Sequence, residues 1–294
     1  MKKLLVILKP LYAKAVQLWR PTWRRLKKHK LAVAGGAFFV FLIFLAVFAS
    51  VVAPYSPYSA DFEHAYEGPS LSHPLGTDEI GRDLLSRIIY GTRLSLAVGV
   101  ISVALALVIG VFLGAVAGYF GGQVDNLIMR AMDILLAFPA ILLAIAIMVI
   151  LGPGLEKAMV AIGIVTIPGY ARIVRGSVLS VKENEYIEAA RAIGLPSWGI
   201  IWRHVLPNIM APIIVRSTLG VSEAILDAAA LGFLGLGAQA PKAEWGLMLS
   251  RGKAYLYSSP HLVYFPGIMI TLTVLSLNLF GDGLRDALDP RLKV

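Results

Sequence analysis

LSLAVGVISVALALVIGVFLGAVAG, residues 94–118, holds no charged side chain from end to end. A helix crosses the ~30 Å hydrocarbon core of a bilayer with ~20 apolar residues, and this run supplies them. Lipid offers the backbone no partner, so every N–H and C=O must pair within the segment, which only a helix achieves for an isolated run. Leu31–Ala53, Ile134–Leu151 and Leu262–Phe280 read the same way. Two further runs are interrupted. Ala158–Ala171 is short and contains Pro168; Ile209–Gly237 is long but carries Arg216, Glu223 and Asp227. The expectation is an all-α integral membrane protein of six spans, at about 31–53, 94–118, 134–151, 158–174, 209–237 and 262–281. The alternation that marks an outer-membrane barrel strand is missing.

Composition agrees. Hydrophobic residues make up 57% of the 294 and charged residues 15%, and the mean hydropathy is +0.75. That leaves too little polar surface for a soluble globule. The net charge of +9 is concentrated in residues 1–30, where Lys2, Lys3, Lys9, Lys14, Arg20, Arg24, Arg25, Lys27, Lys28 and Lys30 meet no acidic residue. A nucleic-acid arm is one reading of a basic run. Its place beside a span makes it a topology signal instead, keeping the N-terminus in the cytoplasm. The basic amphipathic stretch Leu11–Arg20 reads as an elbow lying along the bilayer. The first apolar run exceeds the ~7–15 residues of a signal-peptide core, so an uncleaved anchor is expected.

With the N-terminus inside, residues 54–93 form an external loop, rich in acid at Asp61, Glu63, Glu67, Asp78, Glu79 and Asp83. Within it, residues 76–87 begin as a glycine-punctuated turn and lead into an amphipathic helix just outside the second span, suited to a partner or the membrane surface. The same parity places residues 172–207 inside, along with the tail carrying Arg285, Arg291 and Lys293.

The chemistry of most catalytic classes is absent. No G-x-x-x-x-G-K-[ST] phosphate loop occurs, and Gly252-Lys253 lacks that context. His29, His64, His73, His204 and His261 are scattered, with no pair spaced to share a metal. No cysteine is available for a disulfide, thiolate site or nucleophile, and no G-x-S-x-G elbow appears.

Inside the apolar background lies a polar, helical island, EYIEAARAIGLP at residues 185–196, followed by a segment ending at Leu206-Pro207. Tyr186, Ala189, Ala190 and Ile193 fall at i, i+3, i+4 and i+7, predicting an amphipathic helix that Gly194 and Pro196 stop. Ser197 is placed to cap a second short helix bearing Trp198, Ile201, Trp202 and Val205. Two readings stand at this point: a loop presented to another protein, or helices folded back on their own membrane domain.

Within the fifth run, Arg216, Glu223 and Asp227 lie within ~20° of one line on a helix. Charge at membrane depth is expensive and faces a bundle interior or a water-filled cavity. A pathway lining or gate is one reading, and an ion pair to a neighbouring helix, with Arg216 snorkelling, is the other. Gly110, Gly114 and Gly118 repeat every fourth residue and predict a helix-packing groove. Pro139 and Pro168 predict kinks in the third and fourth spans.

Glu188-Ala189-Ala190, three residues, Gly194, nine residues, then His204-Val205-Leu206-Pro207 resembles the cytoplasmic loop E-A-A-x3-G-x9-I-x-L-P of ABC importer permeases, with histidine where the family prefers isoleucine. Further blocks resemble the dipeptide and oligopeptide branch: GTDEIGRDLLSRIIYGTRLSLAVG (76–99), GYFGGQVDNLIMRAMDI (118–134), ILDAAALGFLGLGAQAPKAEWGLMLS (225–250) and NLFGDGLRDALDPRLK (278–293). The resemblance implies the ABC importer permease fold, in a bacterial or archaeal cytoplasmic membrane, with residues 176–207 as a cytoplasmic coupling loop. It further implies a homologous second permease, two ABC ATPase subunits that carry ATP and Mg, and an extracytoplasmic peptide-binding protein. Glu185, Tyr186, Glu188, Ala189, Ala190, Arg191, Gly194, Leu206 and Pro207 would then form the ATPase-coupling segment. No cofactor, metal or nucleic acid is expected on this chain. The cargo would be dipeptides or short peptides, with oligopeptides, glutathione, nickel chelates, haem or sugars as alternatives within the family. A self-contained carrier or an intramembrane enzyme would not explain the island and the missing phosphate loop together.

Overall fold

The computed structural model describes residues 23–288, and in those residues the chain is helical throughout its membrane-length segments. Helix α1 is Lys30–Val52, α2 Leu84–Phe120, α3 Gly122–Leu136, α4 Ala140–Leu151 and α5 Leu155–Lys182. Then follow α6 Glu185–Ala192, α7 Ser197–Ile200, α8 Met210–Phe233, α9 Trp245–Gly252 and α10 His261–Leu288. Five segments are long and apolar enough to cross a membrane: α1, α2, α5, the run Ser197–Phe233 that ends in α8, and α10. The expected elbow at Leu11–Arg20 and the basic tail residues Arg291 and Lys293 lie outside the described residues.

The third span differs from the expectation. The apolar run 134–151 is not a kinked helix: α3 ends at Leu136, Pro139 starts α4, and the two axes meet at 89°. Pro139 has no N–H to donate back into α3 and drives Phe138 out of the helical region, which turns a kink into a break. At 12 residues, α4 spans only ~18 Å, so a crossing here needs both pieces. Pro168, by contrast, sits inside a continuous α5. The second span also begins earlier than expected. Leu84 opens α2 itself rather than a separate external helix, and 37 residues make α2 ~55 Å long, well beyond the bilayer core.

α2 and α5 form the centre. A Cβ placed on Gly110 would lie 2.5 Å from the Tyr170 Cβ, one on Gly114 would lie within hard contact of the Ala171 carbonyl, and one on Gly118 would lie 2.8 Å from the Val178 Cβ. The three glycines therefore let two backbones touch along three turns. Val98, Ala106, Ala161, Ile162, Tyr170 and Ala171 fill the space around them. Lys182 then donates to the Gly118 carbonyl at 3.2 Å, fastening one end of the pair. α8 and α10 are joined by a 2.6 Å bond from Ser222 Oγ to Asn278 Oδ1, and α1 lies on α10 where Gly35 meets the Ser276 carbonyl.

The end of the bundle opposite Lys182 carries a structured cap. Asp78 accepts from Arg82 Nε at 2.6 Å and faces Arg87 Nε at 3.3 Å, with all three side chains buried. Arg87 donates to the Pro57 carbonyl at 2.9 Å and Glu79 accepts from Arg251 at 2.8 Å, so the cap is tied to both α2 and α9. Burial pushes the Glu79 carboxyl up, but its bond from Arg251, the backbone and Arg82 outweigh that and hold it below the ordinary range. Asp83 caps α2 by accepting from the Ser86 N–H at 2.7 Å. Glu244 caps α9 through the Gly246 and Leu247 amides, both at 2.8 Å; burial still raises its carboxyl against those two bonds.

Candidate functional site

At the Lys182 end of the bundle, α5 turns through Asn184 into α6. Glu185 and Glu188 occupy the first turn of α6 and Arg191 the last, each on the side its helix dipole favours. Gly194, at φ +79, ends the helix: its N–H bonds the Arg191 carbonyl at 2.9 Å, and the Leu195 N–H reaches back to Ala190 at 3.1 Å. That paired closure needs a left-handed residue, which glycine adopts without strain.

The buried face of α6 shares only Ala190 with the stripe its spacing suggested. Ile187 and Ala190 are buried against Val174, Val178, Ala115 and Tyr119, whereas Tyr186 and Ile193 are 44% and 78% exposed. Ile187 and Ala190 stand at i and i+3, a signal present in the sequence but overshadowed by the longer stripe. Tyr186, Ala189 and Ile193 instead form an apolar strip facing outward, flanked by the exposed Glu185, Glu188 and Arg191. Arg191 also lies over the Tyr119 ring, 5.2 Å from its centroid.

The second short helix differs too. Ser197 is its first helical residue rather than its cap, with Pro196 at the cap position and no side-chain capping bond. After Ile200 the winding widens to a π-turn over Ile201–Val205 and then tightens to a 3₁₀ turn over Leu206–Ile209 before α8. Pro207 supplies the cause: it lacks an N–H, and its ring would collide with the carbonyl four residues back in a regular helix. Ile200, Ile201, Val205 and Ile209 are buried, each worth ~1.5–3 kcal/mol, and bind this segment to α6 in one cluster. His204, the departure from the loop pattern, is half-buried and its carbonyl accepts from Asn208 at 2.6 Å. Leu206 is half-buried and Pro207 exposed.

Along α8, Arg216 donates both terminal nitrogens to Glu223 at 2.7 and 2.8 Å. The partner is therefore on its own helix, not on a neighbouring one. Arg216 also lies over the Tyr170 ring of α5 at 5.6 Å. Asp227 is half-buried one turn beyond Glu223. A cavity of about 400 Å³ opens beside Arg216, between α5, α8 and α10, with Ile173, Val215, Leu219 and Arg285 in its wall. Ion pairs that the sequence reading did not single out tie α3 to α5: Asp125 with Arg175 at 2.5 Å, twice, and Asp133 with Arg172 at 2.5 Å. Partners 50 and 39 positions apart leave no local spacing to read. Among the described residues no group of acidic residues, histidine or cysteine is arranged to hold a metal ion.

Two family matches cover most of the chain. Residues 110–294 match the family described as the inner membrane component of binding-protein-dependent transport systems, and residues 17–69 match the N-terminal membrane domain of oligopeptide transport permease C. The chain is 52% identical to a dipeptide transport system permease protein of Alkalihalophilus pseudofirmus, over 95% of this chain and 92% of the relative. It is 48% identical to a di/tripeptide transport system permease protein of Pseudomonas aeruginosa, over 92% and 91%. It is also 48% identical to a glutathione transport system permease protein of Pectobacterium atrosepticum, over 94% and 92%. A solved structure of the MetNI methionine ABC transporter, in an inward-facing form, aligns with a TM-score of 0.56 at 22% identity, covering 69% of this chain and 96% of that one.

Proposed function

The chain belongs to the family of inner membrane components of binding-protein-dependent transport systems, and from that premise we propose that it forms half the path of an ATP-driven importer of dipeptides or similarly short peptides. As a permease of this kind it is a multi-pass membrane subunit working with ATPase and binding-protein partners. The finer assignment is one homologous second permease, two ABC ATPase subunits holding ATP and Mg, and an extracytoplasmic peptide-binding protein. The basic residues before α1 favour a cytoplasmic N-terminus, and parity then favours a cytoplasmic C-terminus and α6.

The observation that carries the reading is the outward strip of α6. A short helix showing Tyr186, Ala189 and Ile193 between Glu185, Glu188 and Arg191 suits a groove on another protein. Its opposite face is fixed to α5 through Ile187 and Val178, so a push on α6 reaches α5, and through the glycine contacts α2. Closure of the ATPases on ATP would thus bias a bundle with two arrangements. This chain's own share of the work is to receive that motion and line the path; the energy comes from elsewhere.

Reconstitution of the complete importer tests it. ATP-dependent uptake of a labelled dipeptide is expected, unaffected by excess glutathione. Uptake of glutathione in place of the dipeptide would transfer the cargo to the second reading, which the glutathione relatives favour. Uptake without ATP would overturn the importer itself.

A further inference from the structure

The fork between Arg216 and Glu223 draws the guanidinium along α8 toward Glu223, seven residues on. Asp227 follows one turn later, ~6 Å along the axis, and makes no hydrogen bond or ion pair among the described residues. The Glu223 side chain is 53% exposed on a helix of membrane-spanning length. A half-exposed line of charge cannot face hydrocarbon, so this side of α8 faces water or a polar partner. The cavity of about 400 Å³ meets this line at Arg216.

We propose that Asp227 and the Arg216 guanidinium form a bipolar site for the two termini of a zwitterionic dipeptide, Asp227 taking the ammonium group and Arg216 the carboxylate. The inference rests on the dipeptide reading above. Asp227 lies eleven residues beyond Arg216, ~16 Å along the axis, and the fork carries the guanidinium part of the way; two extended residues span ~7 Å, and a hydrogen bond of ~3 Å at each end closes the rest. Arg216 spends two of its five N–H donors on Glu223, which leaves donors for a second carboxylate. Because the groups recognised belong to the peptide backbone, the site accepts any pair of side chains. Glu223 keeps the guanidinium neutralised between cargoes, so the carboxylate is held weakly enough to move on.

The test uses the complete importer in proteoliposomes, supplied with saturating loaded binding protein. Asp227→Asn is expected to lower kcat for a labelled dipeptide by about tenfold or more, as loss of a charge-assisted bond should. KM for the loaded binding protein should stay within about twofold, and Asp227→Glu should restore kcat to within about threefold. A dipeptide analogue with a hydroxyl in place of its amino group separates recognition from structure. Wild type should move it at the low Asp227→Asn rate, and Asp227→Asn should treat both cargoes alike. Equal dipeptide kcat in wild type and Asp227→Asn, or equal transport of both cargoes by wild type, overturns the site and leaves the importer reading intact. A wild-type complex that imports no dipeptide overturns the cargo reading and the site with it. If Asp227→Asn fails to assemble, the wild-type rates for the two cargoes decide the matter alone.

Discussion

Glu188 projects outward from the first turn of α6 and makes no bond that holds the fold together. Replacing it with lysine puts a positive charge at the positive end of a short helix, an intramolecular cost of only ~0.3–1 kcal/mol. The membrane domain should therefore accumulate normally. On the docking proposed for α6, Glu188→Lys is expected to lower recovery of the ATPase subunits in gentle detergent by about tenfold, with uptake lost in parallel. Normal ATPase recovery would show that another face is gripped. Gly114 is the opposite kind of residue, since a Cβ there collides with the Ala171 carbonyl and backbone cannot step aside as a side chain can. Gly114→Val should cost at least ~1–3 kcal/mol, seen as a lower unfolding temperature in detergent, whereas Gly176→Ala on the open side of α5 should change it little. Equal melting of the two variants would mean that α2 and α5 are not in backbone contact.

Among the elements, the cap over residues 54–83 depends on one guanidinium. Arg87 is 2% exposed and serves the Pro57 carbonyl at 2.9 Å, the Lys242 carbonyl at 3.4 Å and the Asp78 carboxylate at 3.3 Å. Arg87→Met fills similar volume but leaves Asp78 with one guanidinium, that of Arg82, beside the Ile80 and Arg82 amides, and leaves two carbonyls without this donor. A loss of ~3–5 kcal/mol is expected, read as protease cleavage within residues 54–83 that wild type resists. A variant as resistant as wild type would place the anchoring elsewhere. The sequence showed a turn, a following helix and an acidic loop; the ties that make them a cap, Arg87 to Pro57 and Lys242 and Glu79 to Arg251, span 30, 155 and 172 positions, and no periodicity records them. The spans were legible for the converse reason: each is set by local apolar length. The third is a pair of helices rather than one kinked helix because Pro139 falls inside an unbroken apolar run, where hydropathy stays high while the chain turns through 89°. In α6 the island itself could be read, but not its seating. The strip of four positions from Tyr186 to Ile193 outscored the pair Ile187 and Ala190, and only contact with Val174 and Val178 decides which side is inside.

At the scale of the whole molecule, the bundle is closed where α2, α5, α8 and α10 meet and open where α8 presents Arg216, Glu223 and Asp227 between α5 and solvent. Each central charge facing lipid would cost ~2.5–3.5 kcal/mol on translocon-insertion scales, and pairing Arg216 with Glu223 relieves part of that without serving Asp227. The fold is thus complete as a packing unit and incomplete as a membrane surface. Expressed alone, the chain is expected to be recovered poorly and aggregated. Co-expressed with a homologous permease it should run as a one-to-one pair, which light scattering on a size-exclusion column would read directly. The triple variant Arg216→Leu, Glu223→Leu, Asp227→Leu separates the two demands. With the charges gone the lone chain should accumulate severalfold better, since lipid now suits that face, while the assembled importer carrying it should transport nothing. If the lone chain instead accumulates as well as the pair, with or without the triple change, the charged side of α8 already finds its polar surroundings within this one chain, and the path would have to run elsewhere.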